Sequence, residues 1–224
     1  MSELSLIHRT IAPRTAPKPG EKPPMLLLLH GVGSNEADLP GLAPYFDERF
    51  FVVSARAPLV HDSGFGWYPV QFTPNGAIPD ESFAQTSRVT LETFIAEAVV
   101  AYDLDETRVY LVGFSQGAIM SLYLSLHSPE LIAGAAAMSG RLINVTLAER
   151  ADDPRLAGLP ILAVHGLYDN VLTIADGRRI QSELSRLPLD FSYHEYPIGH
   201  HTSPESIAQV ATFLTDCLNT PRRK

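Results

Sequence analysis

Val109-Tyr110-Leu111-Val112-Gly113-Phe114-Ser115-Gln116-Gly117-Ala118-Ile119-Met120 is the segment on which the reading of this chain turns. Its first four residues are apolar and strand-prone; two glycines then bracket a serine before helix formers take over. A strand that runs into a helix through Gly-x-Ser-x-Gly has the form of a nucleophile elbow. The serine of such an elbow must occupy a strained turn with its hydroxyl accessible, and the glycines let strand and helix pass close together. The five-residue pattern alone would also fit a tight βα turn with an ordinary serine, so its flanks carry most of the signal.

Working outward, short apolar runs bounded by Gly or Pro recur at Met25–Leu29, Phe50–Ala55, Arg108–Phe114, Ile132–Ser139, Pro160–His165 and Asp190–Tyr196. These read as buried strands. Ile132–Ser139 is the least strand-like, because Ala135-Ala136-Ala137 favours helix by propensity. Between the runs lie stretches of helical period: Phe83–Tyr102, Gln116–His127, Thr173–Leu187 and Ser203–Leu218. The last opens on Ser203-Pro204-Glu205, an N-cap with proline in the first turn, and places Cys217 on its apolar stripe as a core residue. Strands alternating with helices imply an α/β domain with a mostly parallel central sheet covered by helices on both faces. Leu4–Ile11 is expected to add an antiparallel edge strand. Residues 56–82 lack a clear period and are expected to form a long loop bordering the site.

A length of 224 residues suits one such domain, residues 1–224, with 1–24 as edge strand and proline-rich link. Apolar residues at 45% and charged residues at 19% supply a core, and a net charge of −8 argues against nucleic-acid binding. One cysteine rules out a disulfide framework or a cysteine-built metal centre. No apolar leader is visible before Gly20 and Met25–Leu29 is far too short to span a bilayer, so no transmembrane segment and a cytoplasmic location are expected. Of eighteen prolines, five fall within Pro13–Pro24 and four within Pro58–Pro79. Fixed φ angles there suggest a stiff link and a partly rigid rim.

A serine needs a base and an orienting acid, in the order Ser, Asp/Glu, His when the elbow is of this type. Asp169 follows the strand Pro160–His165, and His200 follows Asp190–Tyr196 and precedes the last helix. Open α/β sheets place their sites beyond such strand ends. His201 competes with His200; Gly199 relieves crowding before His200 and favours it. His165 and His194 lie within strands, and Asp152, Asp153 and Asp176 do not directly follow one. Beyond Met25–Leu29, His30-Gly31-Val32-Gly33 could bring a backbone N–H to an oxyanion, with Val32 the best donor and Gln116, after the serine, the second. A dinucleotide-binding G-x-G-x-x-G fails because Glu36 stands at the third glycine, and no H-E-x-x-H supports a metal. No cofactor and no metal are expected.

Together these segments resemble the phospholipase/carboxylesterase family of α/β-hydrolases, which includes acyl-protein thioesterases. Leu28–Leu39 looks like its oxyanion loop, Arg108–Ser121 its elbow, His165-Gly166-Leu167-Tyr168-Asp169 its acid position, and Gly199-His200 with Pro204-Glu205 its histidine loop. Ser54-Ala55-Arg56-Ala57-Pro58 and Trp67 resemble the segment bordering the family's acyl pocket. The resemblance implies Ser115 as nucleophile, His200 as base, Asp169 as orienting acid, and the Val32 and Gln116 amides as the oxyanion hole. The chain departs from the family where Asn170-Val171-Leu172-Thr173 replaces a Val-Pro pair after the acid, and where Pro69 replaces an acidic residue. Both departures bear on substrate size and pocket shape rather than on the triad.

The expected activity is hydrolysis of a small-molecule ester or acyl thioester through an acyl-enzyme. Phe65, Trp67, Tyr68 and Phe72 are candidates for an apolar pocket wall, with plain loop packing as the other reading. An acyltransferase or a peptidase would share the same chemistry, and a non-catalytic binding protein would share the fold. Oligomeric state is open, a homodimer included.

Overall fold

All six apolar runs become strands. The computed structural model describes residues 4–73, 76–143 and 153–220. A seven-stranded sheet runs in the order β1 (His8–Ile11), β3 (Phe51–Ala55), β2 (Met25–Leu29), β8 (Val109–Phe114), β9 (Gly134–Met138), β10 (Pro160–Gly166) and β11 (Asp190–Tyr196). Every neighbouring pair is parallel except β1 with β3, so Leu4–Ile11 supplies the antiparallel edge strand expected of it.

The central strands are apolar throughout because both faces are covered. Leu27, Leu29, Val53 and Leu111 turn to one side, where α1 (Glu81–Ala101) and α2 (Gln116–His127) bring Leu91, Phe94, Ile119 and Leu124. Further along that side, Ile161 and Ala163 meet Ile180 and Leu184 of α3 (Ile174–Leu184). The alternate residues Leu26, Leu28, Val52, Tyr110 and Val112 face α4 (Pro204–Asn219) through Ile207, Val210 and Leu214. Cys217 is buried on this side, where desolvation pushes its thiol up to about 12. Helix α4 begins with a capping box in which the Ser203 hydroxyl accepts from Ser206 N–H and the Ser206 hydroxyl accepts from Ser203 N–H.

The alanines of β9 are a consequence of the same two-sided cover. Ala135, Ala136 and Ala137 enter three different core clusters, and at Gly134 an added Cβ would already touch Tyr110 and Cys217. Small side chains let the helices approach the sheet, and tertiary packing overrides helix propensity.

The described residues of 56–82 form more regular structure than a loop. They carry two short antiparallel hairpins, β4 (Leu59–His61) with β5 (Gly64–Gly66), and β6 (Val70–Thr73) with β7 (Gly76–Pro79). The first hairpin is docked on the turn after β2: Gly33 N–H donates to Phe65 O and Phe65 N–H donates to Ser34 O, each at 2.8 Å. Only glycine fits at Gly64, since a Cβ there would lie 2.1 Å from Gly33 O. Among the described residues, no helix is long and apolar enough to cross a membrane.

Candidate active site

Strand β2 pairs with β3 on one side and β8 on the other, so the chain leaves their carboxyl ends in opposite directions. Such a switch point opens a crevice. Leu29 is level with Gly113, which brings the turn after β2 beside the turn after β8.

Ser115 sits in that second turn at φ 54, ψ −117, a conformation that costs a non-glycine residue about 1–3 kcal/mol. Its surroundings enforce it. Ser115 N–H donates to Met138 O at 2.9 Å on β9, and Ser115 O accepts from Ile119 N–H at 3.1 Å in α2. A Cβ at Gly113 would fall 2.3 Å from Gly117 O, and one at Gly117 would fall 1.9 Å from Leu29 O. The two glycines of the motif are therefore contact points between β8, α2 and β2.

The loops after β10 and β11 are tied to each other: Leu167 N–H donates to Tyr196 O at 2.7 Å and Tyr168 N–H to Ile198 O at 2.9 Å. Gly166 lets them close, because a Cβ there would lie 2.5 Å from both Ile198 O and Gly199 O. This clamp brings Asp169 and His200 to Ser115. His200 Nε2 is 2.9 Å from Ser115 Oγ, and His200 Nδ1 is 2.7 Å from Asp169 Oδ2. The Asp169 carboxylate is fully buried, and its Oδ1 accepts from the N–H groups of Val171 and Leu172, both at 2.9 Å. Its lone pairs are thus directed at fixed donors, leaving Oδ2 for the imidazole. The Phe114 ring packs against the imidazole with centroids 5.1 Å apart.

His201 is exposed on the rim. His165 is buried with Nε2 2.8 Å from Leu172 O and 3.7 Å from Asp169 Oδ2, so it lies behind the acid rather than at the serine. Asp153 caps a short 3-10 helix at Pro154–Leu156 and Asp176 stands in the first turn of α3; Asp152 lies outside the described residues.

The two candidate amides flank the serine. Gln116 is the first residue of α2, where backbone N–H groups lack intrahelical acceptors. Val32 N–H has no protein acceptor among the described residues. Gly31 runs close enough that a Cβ on it would touch the Ser115 Cβ at 3.3 Å. The buried His30 holds this turn from behind. Its Nδ1 is 2.7 Å from Gly31 O and its Nε2 accepts from Ala57 N–H at 3.1 Å, which fixes the Nδ1–H tautomer. Burial lowers its pKa, in keeping with a neutral ring.

A narrow cleft of about 40 Å³ opens at Ser115; Val32, Tyr68, Val70, Ile119, Val171 and Leu172 make most of its wall, and Arg141 also lines it. Of the four aromatic residues considered for a wall, Tyr68 stands there. Trp67 is wholly buried behind it and donates from Nε1 to His30 O at 2.9 Å. Phe65 lies under the Arg56 guanidinium, 4.4 Å from its centroid. The side chain of Phe72 lies outside the described residues. A side chain's direction out of a short hairpin is not encoded in its type, so composition could not separate these four.

Two participants were not legible in the sequence. The Gln116 side chain straps the wall to the elbow, its Oε1 accepting from Trp67 N–H at 2.7 Å and its Nε2 donating to Tyr68 O at 2.8 Å. Glu36, where a dinucleotide motif would carry its third glycine, is buried and receives Arg56 bidentately at 2.6 and 2.7 Å. The guanidinium holds its carboxyl down to about 2 against burial.

A seven-stranded sheet with this elbow at its switch point defines the α/β-hydrolase class. Within it, the chain belongs to the Phospholipase/Carboxylesterase family, whose model matches residues 12–218. It is 25% identical over 194 residues to the putative hydrolase MhqD of Bacillus subtilis, covering 87% of this chain and 94% of that one. It is 26% identical over 223 residues to acyl-protein thioesterase 1 of Mycosarcoma maydis, covering 88% and 93%. Esterase PE8 superposes with a TM-score of 0.82 at 25% identity over 95% of this chain and 99% of that one. A carboxylesterase from Mesorhizobium loti shares the fold with a TM-score of 0.81 at 23% identity, over 96% and 97%. The protein is a hydrolase of the esterase/thioesterase type.

Proposed function

We propose that the protein hydrolyses small carboxylic esters, and acyl thioesters where the leaving group allows, through an acyl-enzyme on Ser115. The observation that carries this reading is the continuous chain Ser115 Oγ–His200 Nε2–His200 Nδ1–Asp169 Oδ2 at 2.9 and 2.7 Å, anchored on a serine in a strained turn. His200 takes the hydroxyl proton as Oγ attacks the carbonyl, and Asp169 holds the Nδ1–H tautomer and stabilises the imidazolium. The Val32 and Gln116 amides receive the developing oxyanion. His200 then protonates the departing alcohol or thiol, and a water activated by the same ring releases the acid. The acyl-protein thioesterase among the relatives brings thioesters into the substrate class.

A fluorophosphonate probe followed by peptide mass spectrometry tests the assignment. Wild type should be labelled on Ser115 and Ser115→Ala should not be. Equal labelling of both proteins would remove Ser115 as nucleophile.

A further inference from the structure

Two clefts border the Ser115–His200 pair, and they differ in size and chemistry. One is the cleft of about 40 Å³ at Ser115, with mostly apolar walls and Arg141 among its lining residues. The other, of about 260 Å³, is bordered by His200 itself. Its apolar part is Leu39, Leu42 and Phe114; Asp38, His201 and Thr202 supply polar groups. The Asp38 carboxylate is fixed there by a 2.8 Å hydrogen bond from the Ser34 hydroxyl.

Proton bookkeeping assigns the two clefts. In acylation the Oγ–C bond forms, the bond from the acyl carbon to the leaving oxygen or sulfur breaks, and the serine proton passes through His200 Nε2 to that leaving atom. The leaving group therefore departs past the His200 ring, while the acyl chain stays attached at Ser115. In deacylation water adds to the acyl carbon, its proton goes to Nε2, and the Oγ–C bond breaks as Oγ is reprotonated. The products are an acid and an alcohol or thiol. The acyl chain thus occupies the cleft at Ser115 and the leaving group the cleft at His200.

A volume of about 40 Å³ offers on the order of three water-sized positions, which suits an acetyl to butyryl chain. The leaving-group side is several times larger and two-faced, and Asp38 within it disfavours an anionic occupant. Resting on the triad reading above, we propose that the substrates are short-chain acyl esters or thioesters of bulky, uncharged, part-apolar alcohols or thiols. Selectivity then lies in the leaving group rather than in the length of the acyl chain.

Two ester series on the purified full chain test this. One varies the acyl group of p-nitrophenyl esters from acetate to decanoate; the other varies the leaving group of acetates among phenol, 4-phenylphenol and 2-naphthol, which have similar acidity. From butyrate to octanoate kcat/KM should fall about tenfold or more, as expected when methylenes exceed a pocket, whereas the bulkier acetates should match or exceed phenyl acetate. Leu42→Trp and Thr202→Trp, which fill the larger cleft from two different elements, should each lower kcat/KM for 2-naphthyl acetate about tenfold, and several times more than for phenyl acetate.

A preference for decanoate over acetate, or Trp variants that depress both acetates equally, would overturn the assignment. Fluorophosphonate labelling separates the two layers. A labelled Ser115 with long-chain preference refutes this inference alone, and an unlabelled Ser115 refutes it together with the triad.

Discussion

Replacing Glu36 with Gln probes the support behind the turn after β2 without touching Ser115, His200 or Asp169. The carboxylate is buried, accepts two hydrogen bonds from Arg56, and has Arg9 Nε at 4.0 Å. The guanidinium in turn covers Phe65, whose backbone pairs with Gly33 and Ser34. A carboxyl that titrates at about 2 in the folded chain and 4.5 in the unfolded one favours folding by about 3 kcal/mol at neutral pH. Because the folded value is the lower one, the unfolded chain takes up the proton first as pH falls. The contribution is therefore complete above pH 4.5, is about half gone near pH 3, and vanishes below about 2. Glu36→Gln lacks this titration, so wild type should exceed it by about 3 kcal/mol near pH 7 and by about half as much near pH 3. Urea unfolding of both proteins across that range measures the gap. A gap that stays constant, or widens as pH falls, would show that the Arg56 pair is not what holds the carboxylate ionised.

Other substitutions give sharper local outcomes. His200→Ala should lower kcat on short aryl esters by about 10⁴-fold or more, while His201→Ala stays within about threefold; steady-state kinetics decide between the neighbours. Gly117→Ala should fail to yield soluble folded protein, because its Cβ would meet Leu29 O at 1.9 Å; a normal circular dichroism spectrum and melting curve would contradict that close approach. Gln116→Ala keeps the backbone amide but frees Trp67 N–H and Tyr68 O, and should cost about 1–3 kcal/mol of stability and alter the ratio of acetate to hexanoate hydrolysis. An unchanged ratio would show that the strap does not shape the pocket.

The strands were legible because a sheet covered on both faces writes itself as apolar runs, and Gln116–His127 was read to the residue because the elbow fixes its start. The helical period of Thr173–Leu187 overruns the helix: α3 ends at Leu184, and Leu187 joins the core from the following turn, so an apolar residue at helical spacing need not be helical. The hairpins in residues 56–82 were hidden. Each strand is only three or four residues long, and the docking of β5 depends on Gly64 meeting Gly33, which are remote in sequence. The order Ser115, Asp169, His200 was visible as three residues beyond three strand ends. What brings them within hydrogen-bonding distance, the clamp around Gly166, is a backbone contact that no local pattern records.

The Gln116 strap has a consequence for how this hydrolase can change. One residue offers its main-chain amide to the reacting carbonyl on our reading, and with its side chain it grips the peptide groups of Trp67 and Tyr68. Selection or engineering that reshapes the wall by shifting that backbone will drag the Ser115 turn with it. Variants that exchange side chains and leave the 67–68 backbone in place escape this coupling. Substrate range in this protein should therefore drift through Val70, Ile119 and Val171 before it drifts through the length of the hairpin.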